Sequence, residues 1–499
     1  MSKNPPTWKQ GKTALSVLST LSDNIRHCFK KRYSFIRPLT PVEWDVLQSY
    51  TRRIRYMLDD SRFLDWESVG TFLNPAIDAR SLFPNLRHLD SDSYYQSENE
   101  HLINMPFPSL ITLNLGHEGE FNLLQGSLES FSKFSPNIRK LYIHLVRCDI
   151  TSNDVFSGCI CRWKNLQTVE CPEIPLDMNA LIHLSRVPTL TRLIFTLDAT
   201  VPDQITPSHS PIFFSHLHEL ELYSESLDWV SRLLSQTRLP AVIAFKAFIE
   251  SRPSKSEARS FLTSTQTSFI GHTIQELHLE QDFPEDGTSL ADDSRPVLGF
   301  EGLQPFMAFG TFRRLDLDID WNVDLTSSEL LVLASAWPEL RGLRINNAWG
   351  WNMYAGITPS GLLQLLQTCR SLSDIALAMD TRGYTQCCQS PASLGLVFPR
   401  LFVNIVDSAI EPESLLAIST FLANLILYSE YFSFIAGDHR GQNGMRESVH
   451  KDLWYDAWKQ SNQTVARIYD SFGYPSKSGD VSRLWEVKSL IRNAQISVN

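Results

Sequence analysis

The stretch FPSLITLNL, residues 107–115, decides how the rest of the chain is read. Leu113 and Leu115 alternate with the polar Asn114, and alternation at a period of two places both leucines on one face of a short β-strand. Leu110, three residues earlier, fills the corner where the chain turns into that strand.

The phrase recurs along the sequence. It appears as FPNLRHLD at 83–90, SPNIRKLYI at 135–143, WKNLQTVEC at 163–171 and VPTLTRLIF at 187–195. Further copies are FSHLHELEL at 214–222, GHTIQELHL at 271–279, FGTFRRLDL at 309–317, WPELRGLRI at 337–345 and CRSLSDIAL at 369–377. A degenerate copy, LPAVIAFKA, lies at 239–247, and FPRLFVNIV at 398–406 fits loosely because Asn404 falls where the second leucine belongs. From Leu86 to Leu401, twelve copies span eleven intervals and 315 residues, a mean of about 28.6. That period belongs to leucine-rich repeats, in which a short strand alternates with a helix. No repeat can bury its apolar edge alone, so repeats must stack. The expected fold is therefore α/β: a leucine-rich-repeat solenoid, a curved horseshoe with parallel strands on the concave face and helices on the convex face, closed by helical caps. A doubly wound α/β domain does not account for a fixed phrase at a fixed period.

The segments between the phrases read as helices. SSELLVLASAW (327–337) stops at Pro338, and Thr358-Pro359 opens GLLQLLQTC with a threonine N-cap and a first-turn proline. The stretch from Glu413 to Leu422 follows Pro412, and shorter helices are expected near Trp229 and Leu181. Thr40-Pro-Val-Glu43 is a capping box leading into WDVLQSYTRRIRYML. Repeat arrays need capped ends. Residues 1–80 are accordingly assigned to a helical N-terminal cap or linker, 81–435 to a solenoid of about twelve irregular repeats, and 436–499 to a C-terminal helical cap and tail, with the cap helix at Asp452–Tyr469. Residues 200–211 and 281–297 interrupt the pattern, and the second, acidic and with two prolines, reads as a surface loop.

Composition agrees with this and excludes other classes. The 499 residues include 65 leucines, an excess that three apolar sites per repeat explain. The formal net charge of −10 and a pI near 5.7 argue against a dedicated nucleic-acid binder, which needs a basic face. No stretch approaches 18 uninterrupted apolar residues, and the first thirty lack an apolar signal core. Eight scattered cysteines fit reduced thiols, hence a cytoplasmic or nuclear protein.

RPLTPVEWDVLQSYTRRIRYM (37–57), FPNLRHLD (83–90) and TPSGLLQLLQTCRSLSDIAL (358–377) together resemble the fungal F-box proteins with leucine-rich repeats, especially those abundant in mushroom-forming fungi. The resemblance covers roughly residues 14 to 470. It implies that the repeats recognise a substrate, and that an upstream F-box docks on the Skp-type adaptor of a cullin-based ubiquitin ligase. The sequence departs from the family at its start. An F-box shows a Leu-Pro opening, a run of apolar helix positions and a Cys-Arg-x-Trp-like end, and Met1 to Leu39 do not reproduce them. Docking on a Skp-type adaptor is thereby put in doubt.

No catalytic pattern is present: no phosphate-binding G-x-x-x-x-G-K-[ST], no G-x-S-x-G elbow and no H-E-x-x-H. Cys159, Cys161 and Cys171 lack a fourth zinc ligand at suitable spacing, and Cys171 occupies the third apolar site of its repeat, so these read as structural cysteines. Cys387-Cys388 sit in a loop without a redox partner in view, and the Asn462 sequon requires a secretory route. No cofactor, metal or enzymatic activity is expected.

What remains is a surface. Residues flanking the two strand leucines point to the concave side, among them Tyr142, His144, Glu219, Glu221, Tyr223, Glu276, His278, Glu280, Arg314, Asp316, Asp318 and Arg344. The six acids would gather mid-curve, flanked by Arg314 and Arg344, and such a strip selects a basic partner segment by complementary potential. Solvated polar strand faces are also ordinary. The expected function is a non-enzymatic protein-interaction module, acting as a monomer without nucleic acid or membrane: the substrate-recognition part of an F-box-type receptor, or alternatively a free-standing scaffold or inhibitor with no ligase association.

Overall fold

All twelve copies of the phrase supply a short strand to one parallel sheet in a computed structural model of the chain. The structure describes residues 25–27, 33–35, 40–59, 83–93, 107–118, 121–146, 154–197, 211–270, 273–282, 295–351, 356–384, 401–405, 408, 412–427 and 432–435. The chain divides into two units, Met1–Gln204 with Ile212–Leu217, and Ile205–Pro211 with His218–Asn499.

In the first unit the strands of the main sheet are β1 (Tyr56–Asp59), β2 (His88–Ser93), β3 (Thr112–Glu118), β4 (Lys140–Val146), β5 (Thr168–Leu176) and β6 (Arg192–Leu197), each parallel to the next. In the second they are β7 (Glu219–Ser224), β8 (Ala244–Ile249), β9 (Glu276–Gln281), β10 (Arg314–Asp318), β11 (Gly342–Ile345), β12 (Asp374–Ala376), β13 (Leu401–Asn404) and β14 (Phe432–Ile435), again parallel and sequential. Strands β1 and β14 carry no copy of the phrase. The helices are α1 (Pro41–Thr51), α2 (Phe121–Phe134), α3 (Asp154–Ile160) and α4 (Met178–Ser185), then α5 (Leu227–Gln236), α6 (Lys255–Ser268), α7 (Phe300–Leu303), α8 (Ser327–Ala336), α9 (Pro359–Thr368) and α10 (Leu415–Leu427). Parallel strands joined through helices at this period make the fold an α/β leucine-rich-repeat solenoid.

Local chemistry starts the helices where the sequence indicates. Thr40 accepts from the Glu43 amide while the Glu43 carboxylate accepts from Thr40, and the same reciprocal box opens α8 through Thr326 and Glu329. Thr358 caps α9 ahead of Pro359. A third box, Ser254 with Glu257, starts α6, a helix whose sparse apolar residues hide it from a periodicity reading. Helix α2 was legible but unread: Leu124, Leu128 and Phe131, spaced four and three apart, are all buried.

The apolar sites of the phrases form the core; Leu110, Leu113 and Leu115 are at most 1% exposed. The last copy is in a different frame from that read in the sequence. Val403 pairs with Ile375, so Val403 and Ile405 take the two strand sites and Asn404 lies between them. Asn404 is nonetheless buried, its Nδ2 donating to Asn347 Oδ1 at 2.6 Å.

A polar rule accompanies the apolar one. The residue just before the first apolar site is repeatedly Asn, Ser or Thr, and its side chain donates to a carbonyl of the preceding repeat. Asn85 reaches Arg52 at 2.9 Å, Ser109 reaches Pro84 at 2.8 Å, Asn137 reaches Pro108 at 3.0 Å and Thr189 reaches Leu166 at 2.7 Å. Thr273 and Thr311 do the same to Pro240 and Ile274, both at 3.0 Å. Where the phrase opens on tryptophan the indole adds a second tie: Trp163 donates to Ser135 and Trp337 to Phe306. Each tie closes a turn carbonyl that no strand partner reaches. Replacing Asn137 by alanine is expected to lower the unfolding free energy by about 1 kcal/mol in urea titration; an unchanged midpoint would show the tie to be inert.

No helix among the described residues is long and apolar enough to cross a membrane. Only the ends of segment 281–297 are described, and neither is the expected solvated loop: Gln281 closes β9 and is buried, and the Arg295 side chain is buried against Asp320. The expected cap helix at 452–469, Cys387-Cys388 and Asn462 lie outside the described residues.

Candidate partner-binding site

Because the strands of the second unit are in register, the polar residues of successive repeats fall into three rows across the open face of the sheet. The first row runs Glu219, Ala244, Glu276, Arg314, Gly342, Asp374. The second runs Glu221, Lys246, His278, Asp316, Arg344, Ala376, and the third Tyr223, Phe248, Glu280, Asp318. The ten expected residues on β7, β9, β10 and β11 (Glu219, Glu221, Tyr223, Glu276, His278, Glu280, Arg314, Asp316, Asp318 and Arg344) thus fall into these rows. Tyr142 and His144 belong to the first unit. There Tyr142 is half-buried between Asn114 and Glu170, and His144 is exposed opposite Gly116.

The acids do not form a bare strip. Lys246 stands between the acidic strands, its Nζ 3.2 Å from Glu221, and the Tyr223 hydroxyl donates to the same carboxylate at 2.9 Å. His278 lies between two carboxylates, Nε2 at 2.8 Å from Glu280 and Nδ1 at 3.3 Å from Asp316. Burial alone would disfavour the imidazolium. The hydrogen bonds and charges of Asp316 and Glu280 outweigh it and push the His278 pKa up to about 9. Asp316 and Asp318, expected on the solvated strip, are buried at 5% and 8% exposure. Asp318 turns to the Ala348 and Trp349 amides, which donate to it at 3.0 and 3.3 Å. Burial pushes its pKa up to about 6, with Asp316 and Glu280 adding to the rise and the two amides opposing it. Glu219, Glu276 and Glu280 remain as the outward acids.

Two features escaped the sequence reading. Asp374 holds both flanking arginines: Arg314 Nη2 lies 2.8 Å and Arg344 Nη2 2.9 Å from its Oδ2. Arg314 spans two strands to get there, and it crosses at Gly342, where an added Cβ would come within 3.1 Å of the Arg314 Cγ. Aligning the phrases would have placed Asp374 and Gly342 in that row. The second feature is aromatic. The Tyr223 and Phe248 rings stack at 4.8 Å and 14°, and Phe248 abuts His278 at 5.3 Å. The face is therefore an aromatic pair bordered by fixed charges, with acids over β7–β9 and arginines over β10–β11.

No protein-family model matches the chain, and no curated protein matches it. Among solved structures it matches an internalin, InlF, of Listeria monocytogenes, at 11% identity over 79% of this chain and 85% of that one, with a TM-score of 0.33.

Asn346, one residue past β11, adopts a left-handed φ of 51° and is fully buried. Its amide carbonyl accepts from the Ile319 amide at 3.2 Å, and its Nδ2 donates to Trp321 at 2.6 Å and Gly350 at 3.2 Å. Next to it Asp320 receives Arg252 and Arg295, both at 3.0 Å, and its own amide donates to Gln281 Oε1 at 3.0 Å. Residues 318–321 thus tie several repeats together behind the face. Among the described residues no group of three or more His, Cys, Asp or Glu could hold a metal ion. Cys171 is buried under β5, where burial drives its thiol pKa well above the ordinary value.

Proposed function

We propose that the chain is a non-enzymatic protein-interaction module that captures a partner through a basic segment laid across β7–β9 of the second unit. The observation that carries this reading is the row structure. Glu219, Glu276 and Glu280 face outward beside the stacked Tyr223–Phe248 pair, while Lys246, His278 and the buried Asp316 hold the surrounding charges in place. Prearranged charge beside an aromatic anchor is what selective association needs, since charge complementarity sets partner choice and aromatic contacts supply binding energy.

Within that reading, the partner is the substrate of an F-box-type ubiquitin-ligase receptor, as the resemblance of residues 37–57, 83–90 and 358–377 implies. The second reading is a free-standing scaffold or inhibitor with no ligase association. A pull-down of the full chain on a purified Skp-type adaptor separates them: capture supports the receptor, and no capture leaves the scaffold. The face itself is tested with labelled hexaarginine as the basic probe. Joint Glu219→Lys, Glu276→Lys and Glu280→Lys substitution is expected to weaken binding at least tenfold and to flatten its salt dependence. Unchanged affinity and salt dependence would reduce the acids to a solvated face. Asp316 is unsuitable for such reversal, because it supports His278 from a buried position.

A further inference from the structure

The first unit carries charge of the opposite sign, at the end of its sheet where the strands begin. The segments leading into β1–β6, residues 52–55, 84–88, 108–112, 133–140, 161–168 and 186–192, contain eleven Lys or Arg and no Asp or Glu. Of the eleven, only Arg192 has a carboxylate partner among the described residues, Glu170 at 2.8 Å.

Some of these cations answer the partial negative charge of helix C-termini, as Lys133 does at the end of α2 and Arg186 at the end of α4. That explanation does not reach Arg87, Arg139 and Lys140. They sit at strand starts, where the carbonyls of Arg87 and Arg139 are already taken by the next strand's amides. Their side chains are exposed and make no hydrogen bond or ion pair among the described residues. His88 beside them reports the resulting potential: burial, with the charges of Arg87 and Lys140, holds its imidazole below the ordinary histidine pKa.

From this we infer that the strand-start edge of the first unit is a second docking surface, one that takes an acidic segment of a partner protein through Arg87, Arg139 and Lys140. The spacing suits an extended chain. Neighbouring strands lie about 4.8 Å apart, so Arg87 and Arg139, two strands apart, are separated by roughly 10 Å, and an extended peptide covers that distance in about three residues. Guanidinium forks match carboxylates in two-point contacts. A protein segment fits better than nucleic acid. A short acidic stretch touches only this edge, whereas a long polyanion also meets the field of a molecule whose net charge is −10.

The test is titration of the full chain with labelled hexaglutamate at low and physiological salt, with His88 followed by NMR. The expected results are salt-sensitive binding and a rise of the His88 titration midpoint as bound carboxylates offset Arg87 and Lys140. The Arg87→Glu, Arg139→Glu, Lys140→Glu chain should bind at least tenfold more weakly, and circular dichroism checks that it stays folded. Should charge reversal disturb folding, Arg87→Gln with Lys140→Gln gives the same readout with less repulsion. Equal binding by the variant, or a His88 midpoint that stays put at saturating peptide, overturns the inference. Binding of a single-stranded DNA oligonucleotide in place of hexaglutamate also overturns it and reassigns the edge to nucleic acid. The inference does not rest on the acidic face of the second unit, whose hexaarginine titration fails or succeeds separately.

Discussion

Replacing Asp320 by alanine is expected to lower the unfolding free energy by about 3–5 kcal/mol, the range found when one member of a buried ion pair is removed. Asp320 is buried, and it faces two guanidinium groups that are themselves largely buried, Arg252 at 18% and Arg295 at 8% side-chain exposure. Removing the carboxylate takes an ion-pair partner from two cations where water cannot reach them freely. The cost is amplified by position. Residues 318–321 accept the Ala348 and Trp349 amides, donate the Ile319 amide to Asn346 and tie the Trp321 indole to Pro253. Urea denaturation measures the loss. The contrast is Asp228→Ala on α5, whose partner Arg232 is half-exposed one helical turn away. That surface pair should be worth only about 0.3–0.5 kcal/mol. Equal effects at the two sites would mean that the Asp320 cluster does not hold the repeats together.

The second large effect is a dependence on pH carried by His278. Its pKa rises from 6.5 to about 9 on folding, a difference of 2.5 units. A group whose pKa is raised by folding contributes stability that is complete below the unfolded value of 6.5 and is lost as the pH climbs through 9. The loss between pH 6 and pH 10 should be on the order of 3 kcal/mol, at about 1.36 kcal/mol for each unit. Other groups titrate in the same range, so the informative quantity is the difference between the natural chain and His278→Gln. Their stabilities should converge as the pH rises. Parallel curves would show that Glu280 and Asp316 do not hold a charged imidazole. Asp318 works with the same sign in a lower window: with its pKa raised from 3.8 to about 6, the stability it contributes is complete below pH 3.8 and is lost as the pH climbs through 6.

The architecture was legible because it rests on repetition. A phrase with leucine at three sites, met twelve times, specifies strand, corner and stacking together, and capping boxes at Thr40 and Thr326 place helices without any tertiary knowledge. Helix α6 was not legible, since Phe261 and Leu262 are its buried apolar residues and small polar residues fill the rest of its inner face. The candidate site was legible as a surface but not as a charge distribution. Period-two alternation says which side chains leave the core, and it put Glu276 and Glu280 on the open face. It cannot say that the carboxylate of Asp318 bends back to two amides thirty residues away, or that His278 is clamped between acids of two strands. Those facts depend on register, and register could have been had by aligning the phrases column by column. The same alignment places Asp374 beside the arginines and moves Val403 and Ile405 into the strand sites of the last copy.

His278 also offers the most direct test of the proposed face, because it lies among the residues that a basic partner would cover. The measurement is the NMR titration midpoint of its imidazole in the full chain, with and without saturating hexaarginine. Cationic side chains brought over Glu280 compete for one of the two carboxylates that stabilise the imidazolium, so the midpoint should fall from about 9, and the Glu219→Lys, Glu276→Lys, Glu280→Lys chain should show no further fall on adding peptide. A midpoint that does not move while the peptide is bound would place the binding elsewhere and contradict the assignment of this face.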